Sequence, residues 1–335
     1  MARILPIASG KGGVGKSVIA ANLGLALSRP DRDGHPGRTV VLVDLDLGGS
    51  NLHTCLGIKN KHPGIGALAW KREKSLSDLL VETDYARLWF VPGDGLLPGA
   101  ANIDWFTKKR ILKELESLPA DFVILDLGAG SSYNVVDFFL VSSEGLVVIR
   151  PEITSVLNAY AFLKTAAFRV LVRSFPDRSP GRTAVNEFAA VKNEGSGQSF
   201  LDFARELGER FPDGGPTALA RLSALKPQAI MNMGRSSSDA EMGYRLRDIA
   251  GKNLGIGVEF SGYLLDDPAV PASVAARRPL FDCDPSSPFA RGIAAVAFRL
   301  ASERESARFE IGDADEALSS LVAEGLAESF AGVDK

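Results

Sequence analysis

Two lysines, Lys11 and Lys16, share the stretch SGKGGVGKS at residues 9–17. Gly10, Gly15, Lys16 and Ser17 satisfy G-x-x-x-x-G-K-[ST], the spacing of a phosphate-binding loop. Its glycines let backbone N–H groups converge on phosphate oxygens, and the helix that follows adds its dipole. In this pattern Lys16 reaches the β- and γ-phosphates of a nucleotide and the Ser17 hydroxyl suits Mg²⁺. One lysine suffices for that work. Lys11 is left without a task in the same cradle.

A nucleotide site also needs carboxylates for its metal, delivered from the ends of neighbouring strands. VVLVDLD brings Asp44 and Asp46 to one strand tip, and FVILDLGAG brings Asp126 to another. Four apolar residues followed by an acid is the Walker B pattern, so Asp126 is expected to hold Mg²⁺ through a water. Asp44 and Asp46 lie two apart, and their side chains can serve metal and attacking water separately only if the strand ends between them. Otherwise Asp46 is a plain loop or cap carboxylate.

The elements that must position these groups read as short buried strands. They are Arg3–Ala8, Thr39–Asp44, Leu88–Val91, Phe122–Leu127 and Leu146–Arg150, apolar on both faces. Helical patterns at Lys16–Ser28, Asp104–Leu118, Asn134–Val141 and Ser155–Arg173 alternate with them. The expected fold is α/β, a doubly wound, mostly parallel sheet with helices on both faces. Residues 174–226 break the rhythm with turn-rich sequence and one helix at Phe200–Phe211, and read as an insertion. Alternation resumes with Gln228–Met231, a helix near Asp239–Asn253, Val258–Leu264 and Pro288–Ala301. Residues 1–301 thus form one domain, and 302–335 an acidic, helical C-terminal tail.

Composition removes several classes. A formal net charge of −3 gives no basic field, so no specific nucleic-acid partner is expected. Cys55 and Cys283 are far apart and unpaired in spacing, which excludes a disulfide scaffold and CxxC metal or redox sites. His35, His53 and His62 lack metal-helix spacing and read as solvated or turn residues. No run approaches 18 consecutive apolar residues, and the apolar N-terminus is too short for a signal peptide. A soluble, cytoplasmic protein is expected. The clusters Lys108-Lys109-Arg110 and Arg277-Arg278 read first as solvated helix faces.

With its early lysine, K-G-G-V-G-K-S resembles the deviant Walker A motif of the MinD/ParA superfamily of P-loop ATPases, within the SIMIBI class. DLDLGGSNLHTCLG resembles that family's switch I, DLGAGSSYNVVDF its switch II, and RPEITSV the segment after the next strand. The stretch from Ile230 to Ile293 is most similar to the flagellar-number regulators of the FlhG/FleN branch. The resemblance implies an ATP/ADP- and Mg²⁺-binding ATPase that dimerises on ATP and hydrolyses it slowly, as a spatial or regulatory switch in flagellar placement or cell division.

It also implies roles. Lys11 would cross an ATP-sandwiched dimer to the partner's phosphates, while Gly10, Gly12, Gly13, Val14, Gly15, Lys16, Ser17 and Val18 cradle the nucleotide in cis. Asp46 would orient the hydrolytic water, with Ser17, Asp44 and Asp126 at the metal. Asn51 would belong to the switch I contacts, and Glu152 would approach the nucleotide across the dimer. Asn232 would read the adenine edge with backbone from Leu265, Asp266 and Asp267. Two alternatives stay open: a metabolic ATP-dependent synthase or ligase on the same fold, and a non-hydrolysing ATP-binding adaptor. An unknown protein partner would use the 174–226 insertion or the tail. In the tail Leu318, Leu321, Val322, Leu326 and Phe330 share a helical face. Residues 312–335 carry six acids and one base, which suits packing or partner binding and opposes an anionic membrane.

Overall fold

The computed structural model describes residues 2–30, 34–59, 61–69, 75–93, 105–193, 198–302, 321–323 and 326. Its strands are β1 (Arg3–Ala8), β2 (Val40–Leu45), β3 (Val81–Glu82), β4 (Leu88–Val91), β5 (Phe122–Leu127), β6 (Leu146–Ile149), β7 (Gln228–Gly234) and β8 (Glu259–Leu265). They form one sheet in the order β3-β4-β2-β5-β1-β6-β7-β8. Every pairing is parallel except that of β3 with β4.

The helices are α1 (Lys16–Ser28), α2 (Leu52–Cys55), α3 (Gly66–Ala69), α4 (Trp105–Leu115), α5 (Tyr133–Phe139), α6 (Ile153–Arg173) and α7 (Pro180–Asn193). They continue with α8 (Phe200–Arg210), α9 (Gly215–Ser223), α10 (Ala240–Leu254), α11 (Ala269–Ala275), α12 (Leu280–Cys283) and α13 (Pro288–Ser302). Alternate strand residues feed two cores, as a period of two requires. Val40 and Leu42 join Ile19, Leu23, Phe289 and Ile293 under α1 and α13. Val41, Val43 and Leu45 join Phe138, Phe162 and Leu163 under α5 and α6. This is the doubly wound fold.

The segment 174–226 holds more helix than the one stretch expected. It holds three helices, α7, α8 and α9, and buries Val185, Phe188, Phe203, Leu207, Ala218 and Leu222 in the same core as α6. Phe188 stacks on Phe203 with ring centroids 4.0 Å apart. The segment is therefore part of one face of the domain. Its missed helices begin with Pro-Gly at Pro180 and carry Gly-Pro at Gly215, pairs that read as turns. Proline in a first helical turn loses no hydrogen bond and instead starts the helix.

Lys108 also departs from the solvated reading. It is 9% exposed and its Nζ lies 2.5 Å from Asp137 Oδ2. Arg169 Nε donates to the other oxygen of the same carboxylate at 2.6 Å, and its guanidinium lies over Tyr133. Burial alone would raise the Asp137 pKa, but Arg169 and Lys108 outweigh it and hold the carboxyl below its usual range. α4, α5 and α6 are pinned together by this one acid.

α6 is long and apolar enough to cross a membrane by length and composition, yet half of its most apolar stretch is buried inside the molecule. It packs on β6, α5, α7, α9 and α10, as a core helix does. Of the tail, Val322 is buried in the α6-side core and Leu326 packs against it, so packing is what its described residues do. Leu318 and Phe330 lie outside the described residues.

Removing the Asp137 carboxylate would strand the buried Lys108 and the half-buried Arg169. Asp137→Ala should destabilise the fold by roughly 3 kcal/mol, whereas Lys109→Ala, on the exposed side of the same helix, should change it by less than about 0.5 kcal/mol. Urea melts of the two variants distinguish a pinning network from surface decoration.

Candidate functional site

β1 ends at Ala8 and α1 begins at Lys16, so the glycine-rich loop spans the gap between a strand and a helix N-terminus. Gly13 and Gly15 take φ of 77° and 95°, a left-handed conformation that a side chain resists. A Cβ on Gly15 would lie 2.4 Å from Asn232 Nδ2, and one on Gly10 would lie 2.1 Å from Asn158 O of α6. Bulk is barred at both positions. Ser9, fully buried, donates from Oγ to Lys11 O at 2.7 Å, and its carbonyl accepts from Gly130 N at 3.0 Å. Lys16 is 7% exposed.

The carboxylates assemble beside this loop. Asp44 and Asp126 are register partners on adjacent parallel strands, so both point to the α1 side of the sheet. Both are fully buried. Asp44 accepts from Ser50 Oγ at 2.5 Å, Asp46 N at 3.1 Å and Leu52 N at 3.2 Å. Neither oxygen of Asp126 has a hydrogen-bond partner. Burial first, and then the Asp44 charge, push the Asp126 pKa far up; the Ser17 hydroxyl and the Lys16 ammonium offset only part of this. Burial also raises Asp44, against its three hydrogen bonds. The same surroundings push the buried Cys55 thiol up to about 12, burial leading and Asp126 and Asp44 adding to it.

A buried carboxylate with two orphan oxygens, next to a second carboxylate, a hydroxyl and a phosphate cradle, fits a hard divalent cation. Among the described residues no three His, Cys, Asp or Glu side chains cluster to hold a metal alone. Mg²⁺ does not need such a cluster, since it keeps waters and takes phosphate oxygens.

β2 ends at Leu45, one residue beyond expectation, so Asp46 stands just past the strand. Its carboxylate turns toward β5, where a Cβ on Gly128 would lie 3.2 Å from Asp46 Oδ1. The condition for separate roles of Asp44 and Asp46 is met. Asn51 is exposed and donates to Gly49 O at 2.6 Å, within its own loop.

Lys11 turns away from the cradle. Its Nζ lies 2.9 Å from Glu152 Oε2 and 3.3 Å from Thr154 Oγ1, at the first turn of α6. Arg150 holds the other Glu152 oxygen at 3.0 Å. The Lys11 hydrogen bond is the main reason that the Glu152 carboxyl sits below its usual range. Lys11 and Glu152 are thus paired within one subunit, an arrangement that the sequence did not suggest.

The expected adenine residues are together but differently employed. Asn232 is 4% exposed and its Nδ2 donates to Val14 O at 2.8 Å, so its visible role is to brace the P-loop rather than present both amide groups to a base. Leu265 ends β8. Asp266 pairs with Arg235 at 2.8 Å, and Asp267 accepts from Ala269 N at 2.9 Å and Phe289 N at 3.2 Å, linking the starts of α11 and α13. Only backbone from this loop is left for a base. Ser9, Arg150 and Thr154 were given no role from the sequence because single polar residues carry no spacing signal.

A family profile described as "ParA: NUBPL iron-transfer P-loop NTPase" matches residues 1–76. Over 168 residues the chain is 32% identical to the flagellum site-determining protein YlxH of Helicobacter pylori, covering 48% of this chain and 53% of that one. It is 33% identical over 165 residues to the septum site-determining protein MinD of Synechocystis, covering 48% of this chain and 57% of that one. A match of 27% identity over 220 residues links it to the antiactivator FleN of Pseudomonas aeruginosa, covering 60% and 70% of the two chains. The chain thus spans about half the length of the first two relatives. Among solved structures, Pyrococcus horikoshii MinD complexed with Mg-ADP superposes with a TM-score of 0.58 at 20% identity, covering 92% of this chain and 100% of that one. At that identity the likeness speaks for the fold.

A buried, unpartnered acid has a cost that a neutral amide avoids. Asp126→Asn should raise the melting temperature of the nucleotide-free protein by a few degrees, about 1–2 kcal/mol, and erase any upward shift given by Mg-ADP. A carboxyl whose pKa is raised by folding leaves stability intact below its unfolded range and loses it as pH climbs through the folded value. The gain from Asn should therefore be larger at pH 8 than at pH 5. Thermal scans at both pH values, with and without Mg-ADP, read all three effects.

Proposed function

We propose that this chain, which carries a ParA-family P-loop NTPase domain, is a Mg-ATP-dependent switch that dimerises on ATP and hydrolyses it slowly. The observation that carries the reading is the division of labour between the two P-loop lysines. Lys16 is buried at the start of α1, beside Ser17 and Asp126. Lys11 stands half-exposed at the rim, paired with Glu152. A cation at the rim is available to a second subunit; a buried one is not.

The rim has apolar surface to match. Ile153 and Leu157, which flank the Lys11 partners Glu152 and Thr154 on α6, are 58% and 56% exposed, and Tyr133 at the start of α5 is 69% exposed. Exposed apolar residues concentrated beside a functional edge mark a docking face. A second copy seated there would exchange the cis Lys11–Glu152 pair for contacts with the opposite subunit's phosphates.

In the catalytic step, the P-loop N–H groups and Lys16 hold the phosphates and neutralise their charge. Ser17, Asp126 and Asp44 would hold Mg²⁺, which would neutralise charge on the phosphate oxygens. Asp46 orients the water for attack on the γ-phosphate. Lys11 delivered in trans stabilises the charge that develops on the transferred phosphoryl group, as an arginine finger does. Hydrolysis is then conditional on dimerisation, and dimerisation on ATP.

The names of the relatives speak of choosing a septum or flagellum site and of antiactivation. By extension this chain acts as a spatial regulator, working from the cytoplasm where its nucleotide is held. The iron-transfer wording of the matched profile finds no paired cysteines here: Cys55 is buried and Cys283 exposed, far apart in sequence. A metabolic synthase is disfavoured by Lys11, whose partner within the subunit is Glu152 at the rim and not the phosphate cradle.

Light scattering on size exclusion, with ATP and with ADP, tests the reading. Wild type should dimerise with ATP and not with ADP, and Asp46→Ala should remain a long-lived ATP dimer. Lys11→Ala should dimerise weakly and hydrolyse at least roughly tenfold more slowly. A wild type that stays monomeric in ATP while Lys11→Ala hydrolyses normally would refute the trans-lysine mechanism.

A further inference from the structure

At the sheet edge opposite the P-loop, a groove of about 990 Å³ opens between the end of α1, the residues leading into β2 and β4, and the turn after α11. Half-buried Tyr85 gives it an apolar part, over the buried Leu25 and Leu56 beneath. A second hollow of about 360 Å³ shares Gly57 and Asp84 with it and runs past β3. β3 is the last strand of the sheet, so one side of it pairs with no described strand.

The lining is basic on a chain that is acidic overall. Arg29, Arg87, Arg277, Arg278, Lys59 and Lys61 face three carboxylates, Asp84, Asp282 and Glu82, whereas the whole chain has a formal net charge of −3. Arg29 and Arg278 both pair with Asp282, and Arg87 Nη1 donates to Gly37 O at 2.7 Å. The side chains of Arg277, Lys59 and Lys61 have no hydrogen-bond or ion-pair partner among the described residues. Arg277 and Arg87 hold φ of 56° and 62°, a conformation that costs a non-glycine residue energy. Gly57 leaves room for Arg277: a Cβ there would lie 2.7 Å from Arg277 O.

We propose that this groove binds an extended acidic peptide segment of a partner protein, with an apolar side chain seated against the half-buried Tyr85. The charge distribution selects that occupant. The cations are spread along an open channel instead of converging on one point, which suits a chain of charges better than a single phosphate. Nucleic acid needs an unbroken run of neutralised phosphates, and the three carboxylates would repel it. A peptide can pair with both signs and can add its backbone to the open side of β3. A lipid surface is too flat for a concave site. The described tail residues Val322 and Leu326 pack on the α6-side core, on the face of the sheet away from Leu25 and Leu56.

The test uses the full chain and three fluorescent probes: a synthetic peptide of Glu and Asp with a leucine anchor, its Lys-substituted counterpart, and oligothymidylate. The acidic peptide should bind, more weakly as salt rises. Reversing the three unpaired cations (Lys59→Glu, Lys61→Glu, Arg277→Glu) should weaken it about tenfold or more, with basal ATP hydrolysis unchanged. The control reversals Arg245→Glu and Lys252→Glu on α10 should leave binding as it was. Hydrogen exchange on the wild type, independent of any folding defect in the variants, should show peptide-induced protection at residues 57–61, 81–87 and 276–278. Tighter binding of oligothymidylate or of the Lys peptide, full retention of affinity by the triple variant, or protection confined to the P-loop edge would each overturn the assignment.

Discussion

Two carboxylates buried side by side, one of them without a single hydrogen bond, set the terms for this fold. Asp44 and Asp126 are brought level by the parallel register of β2 and β5 and turned to one face by strand alternation. Nothing in apolar packing rewards that arrangement, and desolvation together with like charge opposes it. The surrounding cores, fully buried on both faces of the sheet, carry the destabilisation. What the arrangement provides is a fixed concentration of negative charge under a loop built to hold phosphates. The site is strained toward a cation.

The second organising feature is the link between P-loop and α6. Gly10 lies so close to Asn158 that no side chain fits, and Lys11 reaches Glu152 and Thr154 at the same helix start. Asn232 closes the other side through Val14. The loop is therefore gripped from β7 and α6 as well as by its own strand and helix. A change at the rim, where Lys11 sits, has a short path to the phosphates.

Much of this was legible in the residues. The strands at Arg3–Ala8, Leu88–Val91 and Phe122–Leu127 and the helix at Lys16–Ser28 were readable to the residue, because continuous apolar runs and a glycine loop bound them sharply. The P-loop and the three acids were legible for the same reason: each sits at a strand end marked by a change from apolar to polar. In the 174–226 segment α8 was readable, whereas α7 and α9 were hidden by Pro-Gly and Gly-Pro pairs that signal turns locally and helix starts in context. Lys108 was misread because a basic run says nothing about which lysine faces Asp137. Side-chain engagements such as Lys11 with Glu152 or Asn232 with Val14 join residues 141 and 218 positions apart, and no local pattern reports them.

The central claim, that the unpartnered Asp126 carboxylate is maintained for a nucleotide-bound cation, is open to one direct measurement. Calorimetric titration of the wild-type protein with ADP, once in Mg²⁺ and once in EDTA, reads the coupling between metal and nucleotide. The account predicts binding at least about tenfold tighter in Mg²⁺, and loss of that difference in Asp126→Asn. Equal ADP affinity in the two buffers would contradict it.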